Sequence, residues 1–245
     1  MADRVLLVTG ASSETGCEVL RSITEPYSCI WAHYNRSAHQ LEQLQEIWEN
    51  RLRLVQADFT DEGSIRDMAG RILESGLCPD HVLHLPSPKI TAERFAKRRW
   101  EEYRDGIDIS LRPAVLLLQD FLPVMQKKKY GRIVFILSSY LAGTPPKYQS
   151  PYITAKYALY GLMRNLAAEY AGKGITVNAV SPDMMETRLL SQLPQMLVEQ
   201  NARSSPLKRN IRLEETAAAG LYLLSDAAGA VTGQNLAVTG GMELA

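Results

Sequence analysis

Short apolar runs alternate with longer segments of mixed polarity along the whole chain. An apolar run closed by glycine or polar residues is typical of a strand that is buried on both faces of a parallel sheet. The first run ends at Gly10 and fits this description. The pattern predicts seven strands, at Arg4–Thr9, Cys29–Tyr34, Leu52–Gln56, His81–Leu85, Arg132–Leu137, Ile175–Val180 and Asn235–Val238.

The segments between these runs carry apolar residues at helical spacing, as at Val19, Leu20 and Ile23 in the first of them. Strands that alternate with helices form parallel sheets. The sequence therefore predicts an α/β fold with a doubly wound parallel seven-stranded sheet of the Rossmann type, in a single domain over residues 1–245. The predicted helices are Thr15–Ile23, Leu41–Trp48, Asp61–Ser75, Ile109–Lys129, Pro151–Ala171 and Glu214–Ser225.

The segment Asp183–Arg212 is the least regular part of the chain, with Pro194, Pro206 and three methionines between two clear elements. Long irregular segments near a site often act as lids. An ordinary connecting helix with loops would give the same pattern. The sequence leaves both interpretations open, a mobile substrate lid and a plain connection.

Composition excludes several classes of protein. With 27 basic and 27 acidic residues the formal net charge is zero, so charge indicates neither a nucleic-acid nor a membrane partner. No apolar run reaches the roughly 18 residues of a membrane helix. The first residues, Met1–Gly10, lack the apolar core of a signal peptide, so a cytoplasmic location is expected. Cys17, Cys29 and Cys78 form neither a paired disulfide set nor a close cluster of metal ligands. They are therefore expected to be buried, reduced thiols, and no metal site is predicted.

The turn after the first predicted strand reads Thr-Gly-Ala-Ser-Ser-Glu-Thr-Gly over Thr9–Gly16. Backbone N–H groups at such a position, together with the start of the following helix, can hold a diphosphate. Two glycines in a strand-to-helix turn also occur for turn geometry alone. The candidate cofactor-binding residues of this turn are Gly10, Ser12, Ser13, Thr15 and Gly16.

Nucleotide choice is usually made at the end of the second strand, where a carboxylate selects ribose hydroxyls and a basic residue meets a 2′-phosphate. Here Arg36 and Ser37 follow the strand and no carboxylate is present, which favours NADPH over NADH. The alternative is that Arg36 is only a solvated side chain. Asp58, after the third strand, could accept a hydrogen bond from adenine or could cap its own loop.

A candidate acid–base group lies farther along the chain. Tyr152 and Lys156 are four residues apart on a predicted helix and therefore share one face. An adjacent ammonium is expected to lower the pKa of a tyrosine, which makes the phenol a better acid at neutral pH. Ser138 and Ser139 end a buried strand, and a serine hydroxyl can orient a substrate carbonyl. Together these groups suit carbonyl reduction.

The chain resembles the short-chain dehydrogenase/reductase family, and within it the 3-oxoacyl-(acyl carrier protein) reductases. The likeness covers almost the whole chain, and several spaced phrases in the right order are more specific than any one of them. Those phrases are Thr9-Gly10, Asp58, Gly131–Val134, Ser138-Ser139, Tyr152 to Lys156, Ile175–Pro182, Thr187, Thr232–Gln234 and Gly240-Gly241.

The resemblance implies specific roles. Tyr152 would be the general acid that protonates the carbonyl oxygen, and Lys156 would also hold the nicotinamide ribose. Ser139, thirteen residues before Tyr152, has the usual family spacing for the catalytic serine, with Ser138 as the reserve candidate. Ser110 stands where the family has an asparagine that holds a relay water, and a serine can also hold a water.

The resemblance also places Pro182 and Thr187 beside the nicotinamide carboxamide. Four departures from the family pattern put cofactor affinity in doubt, the first being Ser110 in place of the asparagine. Glu14 replaces the middle glycine of the first turn, His84–Ser87 replaces the phrase Asn-Asn-Ala-Gly, and Asp183 stands where glycine usually follows the proline.

Partners are also implied by the resemblance. Lys129 and Lys173 match positions at which the reductases meet acidic acyl carrier protein, although both could be solvated helix ends. Arg94 and Lys97–Arg99 form a second basic cluster with the same two interpretations. Family members are commonly tetramers, so a homo-tetramer built on the long helices, or a hetero-oligomer with a homologue, is expected.

The sequence thus predicts an NADPH-dependent reductase that converts a 3-oxoacyl thioester, bound to acyl carrier protein, to the 3-hydroxyacyl form. One alternative is a dehydrogenase or reductase of another ketone or secondary alcohol. The other is a non-catalytic family member that serves as a partner subunit. Glu14 and His84–Ser87 favour this last alternative, whereas Ser139, Tyr152 and Lys156 oppose it.

Overall fold

The computed structural model describes residues 4–190 and 193–242. Seven strands form one sheet in which every neighbouring pair is parallel, as the sequence predicts. The strands are β1 Val5–Thr9, β2 Cys29–Tyr34, β3 Leu52–Gln56, β4 His81–His84, β5 Gly131–Ile136, β6 Ile175–Pro182 and β7 Asn235–Val238. Their order across the sheet is β3-β2-β1-β4-β5-β6-β7.

Helices cover both faces of this sheet. The α-helices of the described residues are α1 Glu14–Ser22, α2 His39–Trp48, α3 Glu62–Glu74, α4 Trp100–Lys128, α5 Ser150–Tyr170, α6 Gln195–Ser204 and α7 Leu213–Leu224. Side chains of β1 alternate between two buried cores, with Leu7 in the core under α3, α4 and α5 and Leu6 in the core under α1, α2 and α7. This alternation is why β1 reads as a continuous apolar run.

The direction in which the chain crosses the sheet reverses between β1 and β4. These two strands are neighbours, and Thr9 pairs with His84 at their carboxyl ends. In open parallel sheets the crevice for a ligand lies beyond the carboxyl ends at this reversal. The turn after Thr9 and the segment after His84 therefore frame the place where a site is expected.

The helix α4 begins well before the predicted start at Ile109. A carboxylate oxygen of Glu102 accepts the backbone N–H of Arg99 at 3.1 Å, which satisfies a free donor where the helix begins. Pro113 and Pro123 lie inside the helix. The early start matters because it places Ser110 in the interior of α4 rather than at its first turn.

The irregular segment 183–212 contains a short 3-10 turn, Arg188–Leu190, followed by α6. Residues 191 and 192 of the predicted lid lie outside the described residues. Leu190 and Leu193 pack with Ile90 and Tyr152 in a small apolar cluster, so the segment covers the carboxyl edge of the sheet. A helix with loops is present, and its movement as a lid stays a prediction.

Cys17, Cys29 and Cys78 are free thiols in the buried core, as predicted. Across residues 4–190 and 193–242, no three His, Cys, Asp or Glu side chains lie close enough to hold a metal ion. In the same ranges, no helix is both long enough and apolar enough to span a membrane. Residues 1–3 of the segment considered as a leader lie outside the described residues.

Candidate active site

Tyr152 and Lys156 lie on the first turns of α5, which begins next to Pro151. Proline suits a first helical turn because its missing N–H would have no partner there. Lys156 is 2% exposed, and its Nζ donates to the carbonyl oxygen of Ile136, the last residue of β5, at 2.8 Å. Its Nζ lies 5.7 Å from the centre of the Tyr152 ring. The predicted pair is therefore fixed at the carboxyl edge of the sheet.

Burial sets the pKa values of both side chains. It raises the pKa of Tyr152 to about 12, while hydrogen bonds with the Ser138 and Ser87 hydroxyls act in the opposite direction. It lowers the pKa of Lys156 to about 7. The prediction that the ammonium lowers the pKa of Tyr152 is wrong for this arrangement, because desolvation of the phenolate dominates and Lys156 is not among the groups that shift this pKa. The phenol keeps its proton at neutral pH.

The two serines after β5 point to different partners. The Ser138 hydroxyl bonds to Tyr152, whereas Ser139 Oγ donates to Asp183 Oδ1 at 3.1 Å. The spacing to Tyr152 favours Ser139 as the catalytic serine, whereas the bond of Ser139 to Asp183 favours Ser138, the reserve candidate, so the choice between them stays a prediction. Asp183 also accepts the side-chain N–H of Asn201 on α6 at 3.1 Å, so Ser139 belongs to a bond network that holds the segment after β6.

The phrase His84–Ser87 supplies two contacts of the site. Ser87 brings a second hydroxyl to Tyr152. His84 is buried, with Nδ1 2.9 Å from Thr9 Oγ1 and Nε2 2.8 Å from the carbonyl oxygen of Ser110. Because that carbonyl can only accept, Nε2 carries the proton and Nδ1 accepts from Thr9. Burial lowers the pKa of His84 to about 3, so it stays neutral.

The relay role predicted for Ser110 stays a prediction. Its hydroxyl is fully buried and donates to the carbonyl oxygen of Gly106, one turn earlier in α4, at 2.6 Å. The carbonyl of Ser110 is taken by His84. The short side chain of Ser110 thus bonds back to its own helix.

The first turn has the tight geometry that its glycines predict. Gly10 has a φ of +70°, which favours glycine. A Cβ at Gly16 would lie 2.5 Å from the carbonyl oxygen of Ala11, so only glycine fits there. Ser13 caps α1 by accepting the N–H of Gly16 at 3.1 Å. The turn thus presents the start of a helix to the crevice, as an anion site requires.

Glu14, the departure in this turn, does not point into the core. Its Oε2 accepts the backbone N–H of Arg188 at 3.0 Å, and its Oε1 lies 3.2 Å from Arg188 Nε. The ion pair spans the crevice between the start of α1 and the segment after β6. The ion pair therefore connects the first turn to the segment after β6, and the Glu14 side chain does not fill the turn itself.

Two adjoining cavities form a continuous cleft along the carboxyl edge. The first, of about 430 Å³, is lined by Thr15, Glu14 and both predicted catalytic side chains of α5. The second, of about 760 Å³, extends past the end of β2. Residues that line both cavities are Gly10, Ser13, Pro86, Ser87 and Lys89.

Most of the remaining predicted cofactor residues border this cleft. Pro182 and Thr187 line the first cavity, and Ser12 and Arg36 line the second. Ser37 borders neither, and its Oγ accepts the backbone N–H of His39 at 3.4 Å.

Asp58 lines the second cavity. Its Oδ1 accepts the backbone N–H of Thr60 at 2.9 Å and the Thr60 hydroxyl at 2.8 Å, and these bonds lower the pKa of its carboxyl group. Asp58 therefore caps its own loop, as the alternative interpretation expects, and it also borders the second cavity.

Two residues of the cleft escape the sequence analysis, namely His33 and Arg188, and the phrase that contains Ser87 is named there only as a departure from the family pattern. His33 Nδ1 accepts the N–H of Gly10 at 2.9 Å, its Nε2 donates to Ala57 O at 3.1 Å, and its ring stacks on Phe59. These contacts join positions far apart in the chain. No local pattern could have indicated them.

Lys129 and Lys173 do not border the cleft of their own chain. Lys129 ends α4 just before β5, and Lys173 precedes β6. Parallel strands all begin at the same edge, so both lysines lie opposite the edge that carries Tyr152. Binding of acyl carrier protein at these two lysines stays a prediction. In the second basic cluster, the Arg98 side chain is buried and bonds to Thr91, Glu102 and Tyr148.

A nicotinamide dinucleotide fits the residues present. The glycine-only position at Gly16 allows the close turn, the helix start faces the cleft, and the cleft runs without interruption from Arg36 to Tyr152. A long two-part cleft of this kind suits a ligand with two nucleotide halves. Glu14 lines the first cavity beside the first turn.

Comparison with known proteins gives consistent results. A family model described as "Enoyl-(Acyl carrier protein) reductase" matches residues 25–243. The cis-4-hydroxycyclohexanecarboxylate dehydrogenase of Sinomonas cyclohexanicum is 32% identical, over 98% of this chain and 96% of its own length. The 3-oxoacyl-(acyl-carrier-protein) reductase FabG of Rickettsia felis is 29% identical, over 99% and 98%.

Among solved structures, levodione reductase superimposes with a TM-score of 0.89 at 25% identity, over 98% of both chains. The fold, the family match and these full-length relatives imply a nicotinamide cofactor. The chain belongs to the short-chain dehydrogenase/reductase family and is an oxidoreductase of that family.

Proposed function

We propose that this protein reduces a ketone with NADPH, that the ketone is a 3-oxoacyl thioester, and that Tyr152 is the general acid. The observation that carries the proposal is a buried phenol, with its pKa raised to about 12, at the foot of the first cavity. A general acid must hold its proton before the reaction. Tyr152 meets this condition at neutral pH, which favours reduction over oxidation.

The walls of the first cavity support an acyl substrate. Apolar side chains from three segments surround the space near Tyr152 and would exclude water from a chain of methylene groups. Lys89 stands at the junction of the two cavities and is exposed. The apolar lining includes Ile90, Leu137, Met184, Met185, Leu190 and Leu193.

Each residue of the site has a distinct role in the proposed reduction. When bound, the cofactor supplies a hydride for the carbonyl carbon. Tyr152 gives its proton to the carbonyl oxygen, and Ser138 donates a hydrogen bond to the same oxygen as charge develops on it. Lys156, which donates to the carbonyl oxygen of Ile136, would hold the nicotinamide ribose, as the family resemblance implies. The first turn would hold the diphosphate, and Pro182 and Thr187 would border the nicotinamide end.

Preference for NADPH is supported by Arg36, which lines the second cavity where a 2′-phosphate would lie. An arginine offers a planar pair of donors to phosphate. A carrier-bound thioester is supported by the Rickettsia felis relative, whose name is that of a reductase of 3-oxoacyl-(acyl carrier protein). Because Lys129 and Lys173 face away from their own cleft, a carrier that contacts them would serve the site of a neighbouring subunit in a tetramer.

A second candidate function is reduction or oxidation of a cyclic ketone or alcohol. It is favoured by two full-length relatives, one named a hydroxycyclohexanecarboxylate dehydrogenase and the other levodione reductase. Their names specify substrates without a carrier.

Nucleotide titration followed by turnover assays tests the proposal. Purified protein is titrated with NADPH and with NADH by fluorescence, and NADPH consumption is then followed on acetoacetyl thioesters, on carrier-linked thioesters and on cyclohexanone carboxylates. We expect tighter binding of NADPH and turnover of the thioesters. Turnover of cyclic ketones alone would establish the second function, and failure to bind either nucleotide would overturn both.

A further inference from the structure

The ion pair between Glu14 and Arg188 is built like an occupied anion site. One carboxylate oxygen accepts the backbone N–H of Arg188 at 3.0 Å, and the other lies 3.2 Å from its Nε. A backbone N–H and a guanidinium that converge on the same group are the donors that proteins use for carboxylates and phosphates. Arg188 thus presents two donors to one anion.

The position of this pair relates it to the cofactor. Glu14 and Arg188 both line the first cavity, together with Gly10, Ser13 and Thr15 of the first turn. This turn is the part of the chain that would hold a diphosphate. The carboxylate of Glu14 therefore stands beside the place of another anion, and the two negative groups would repel each other if both stayed there.

We propose that Arg188 is a ligand of the dinucleotide diphosphate, and that Glu14 occupies its anion-binding position until the nucleotide arrives. The inference rests on the proposed function, since it takes a dinucleotide as the ligand. Binding exchanges one anion for another at Arg188, and the carboxylate of Glu14 turns into solvent. Glu14 then competes with the cofactor, and its replacement strengthens binding.

The exposure of both side chains makes this exchange easy. The Arg188 side chain is 69% exposed and that of Glu14 is 32% exposed. Exposed ion pairs are weak because water solvates the separated charges well. Arg188 also begins a short 3-10 turn between β6 and α6, so its backbone is not held in a long helix or in the sheet.

A set of variants titrated with NADPH by fluorescence tests the exchange. We expect Glu14→Gln and Glu14→Gly to lower the Kd about fivefold, within the range that a weak ion pair allows. Arg188→Gln should raise the Kd about fivefold in the Glu14→Gln background and by less in the otherwise unchanged chain. The matched control is Glu18→Gln, which removes a charge from the same helix, where Glu18 pairs with Arg21 at 3.7 Å.

Inorganic pyrophosphate gives a second readout that needs no dinucleotide. It should displace NADPH at a lower concentration from the Glu14→Gln variant than from the unchanged chain, and Arg188→Gln should abolish that gain. If Glu14→Gln binds NADPH no better than Glu18→Gln does, the inference fails while the proposed function stands. If Arg188→Gln has no effect in the Glu14→Gln background, the ion pair only holds the segment after β6 in place, and the inference that Arg188 binds the diphosphate is wrong. Failure of every variant to bind nucleotide overturns both.

Discussion

The two ends of the cleft differ most in how far they exclude water. At the acid–base end, Tyr152 and Lys156 are 6% and 2% exposed, and burial shifts both pKa values. At the rim, Glu14 and Arg188 form an exposed pair that connects α1 to the segment after β6. Proton transfer needs groups whose pKa is set by desolvation. An anion that must enter and leave is better served by donors that water can reach.

This contrast explains why the departures from the family pattern differ in consequence. Glu14 is the most conspicuous change, but it lies at the rim, where an added charge adjusts affinity. His84 is buried between the two ends and forms two hydrogen bonds, so it belongs to the framework that holds the cleft. We expect changes at the buried end to remove chemistry and changes at the rim to alter binding by modest factors.

The largest expected effect comes from Tyr152→Phe. The variant keeps the ring but lacks the proton donor, so kcat for ketone reduction should fall by about 10³-fold, within the usual range for a general acid. The Kd for NADPH should change by less than about twofold, because the hydroxyl is not needed to hold the nucleotide. Stopped-flow turnover and fluorescence titration measure the two quantities separately.

The matched control is Tyr157→Phe, on the same helix, where the side chain is exposed. It should retain the activity of the unchanged chain. A Tyr152→Phe protein that reduces ketones at more than a tenth of the normal rate would contradict the assignment of the acid. Such a result would also contradict the view that the buried end of the cleft carries the chemistry while the rim only adjusts binding.

The fold could be predicted from the sequence because parallel strands buried on both faces leave a clear local signal. All seven strands lie within two residues of the predicted bounds. The start of α4 was placed too late, since the helix begins after Arg99, and arginine is not a residue type that marks the start of a helix. The helix in the segment 183–212 was one of two open interpretations, because its polar and apolar residues follow no single face.

The site was predictable only in part. Tyr152 and Lys156 follow from spacing on one helix, and the first turn follows from its glycines. The choice between Ser138 and Ser139 depends on which hydroxyl the turn after β5 directs to Tyr152, and spacing alone favours the other serine. Arg188 contacts Glu14 across 174 positions of sequence, so no local pattern could join them.

The next largest effect separates the two serines. Ser138→Ala removes the hydroxyl that bonds to Tyr152 and should lower kcat by about 10²-fold, as loss of a donor to a developing oxyanion does elsewhere. Ser139→Ala removes the bond to Asp183 and should lower kcat by less than about fivefold, with a cost in folding stability of about 1 kcal/mol. Steady-state kinetics and urea unfolding of both variants measure these effects. The opposite ranking in kcat would restore Ser139 as the catalytic serine.

The smallest of these effects is a pH dependence of stability that originates at His84. Folded His84 is neutral down to about pH 3, because burial lowers its pKa to about 3, whereas an unfolded histidine takes up a proton near its ordinary value of about 6.5. Between these values the unfolded chain binds the extra proton, so stability falls as the pH falls, by about 1.4 kcal/mol per pH unit for this one group.

His84→Asn should flatten the slope of unfolding free energy between pH 6 and about pH 4 by that amount, as measured by urea unfolding. An equal slope in His84→Asn and the unchanged chain would show that His84 is already protonated in the folded protein, and the neutral link between the two ends of the cleft would be wrong.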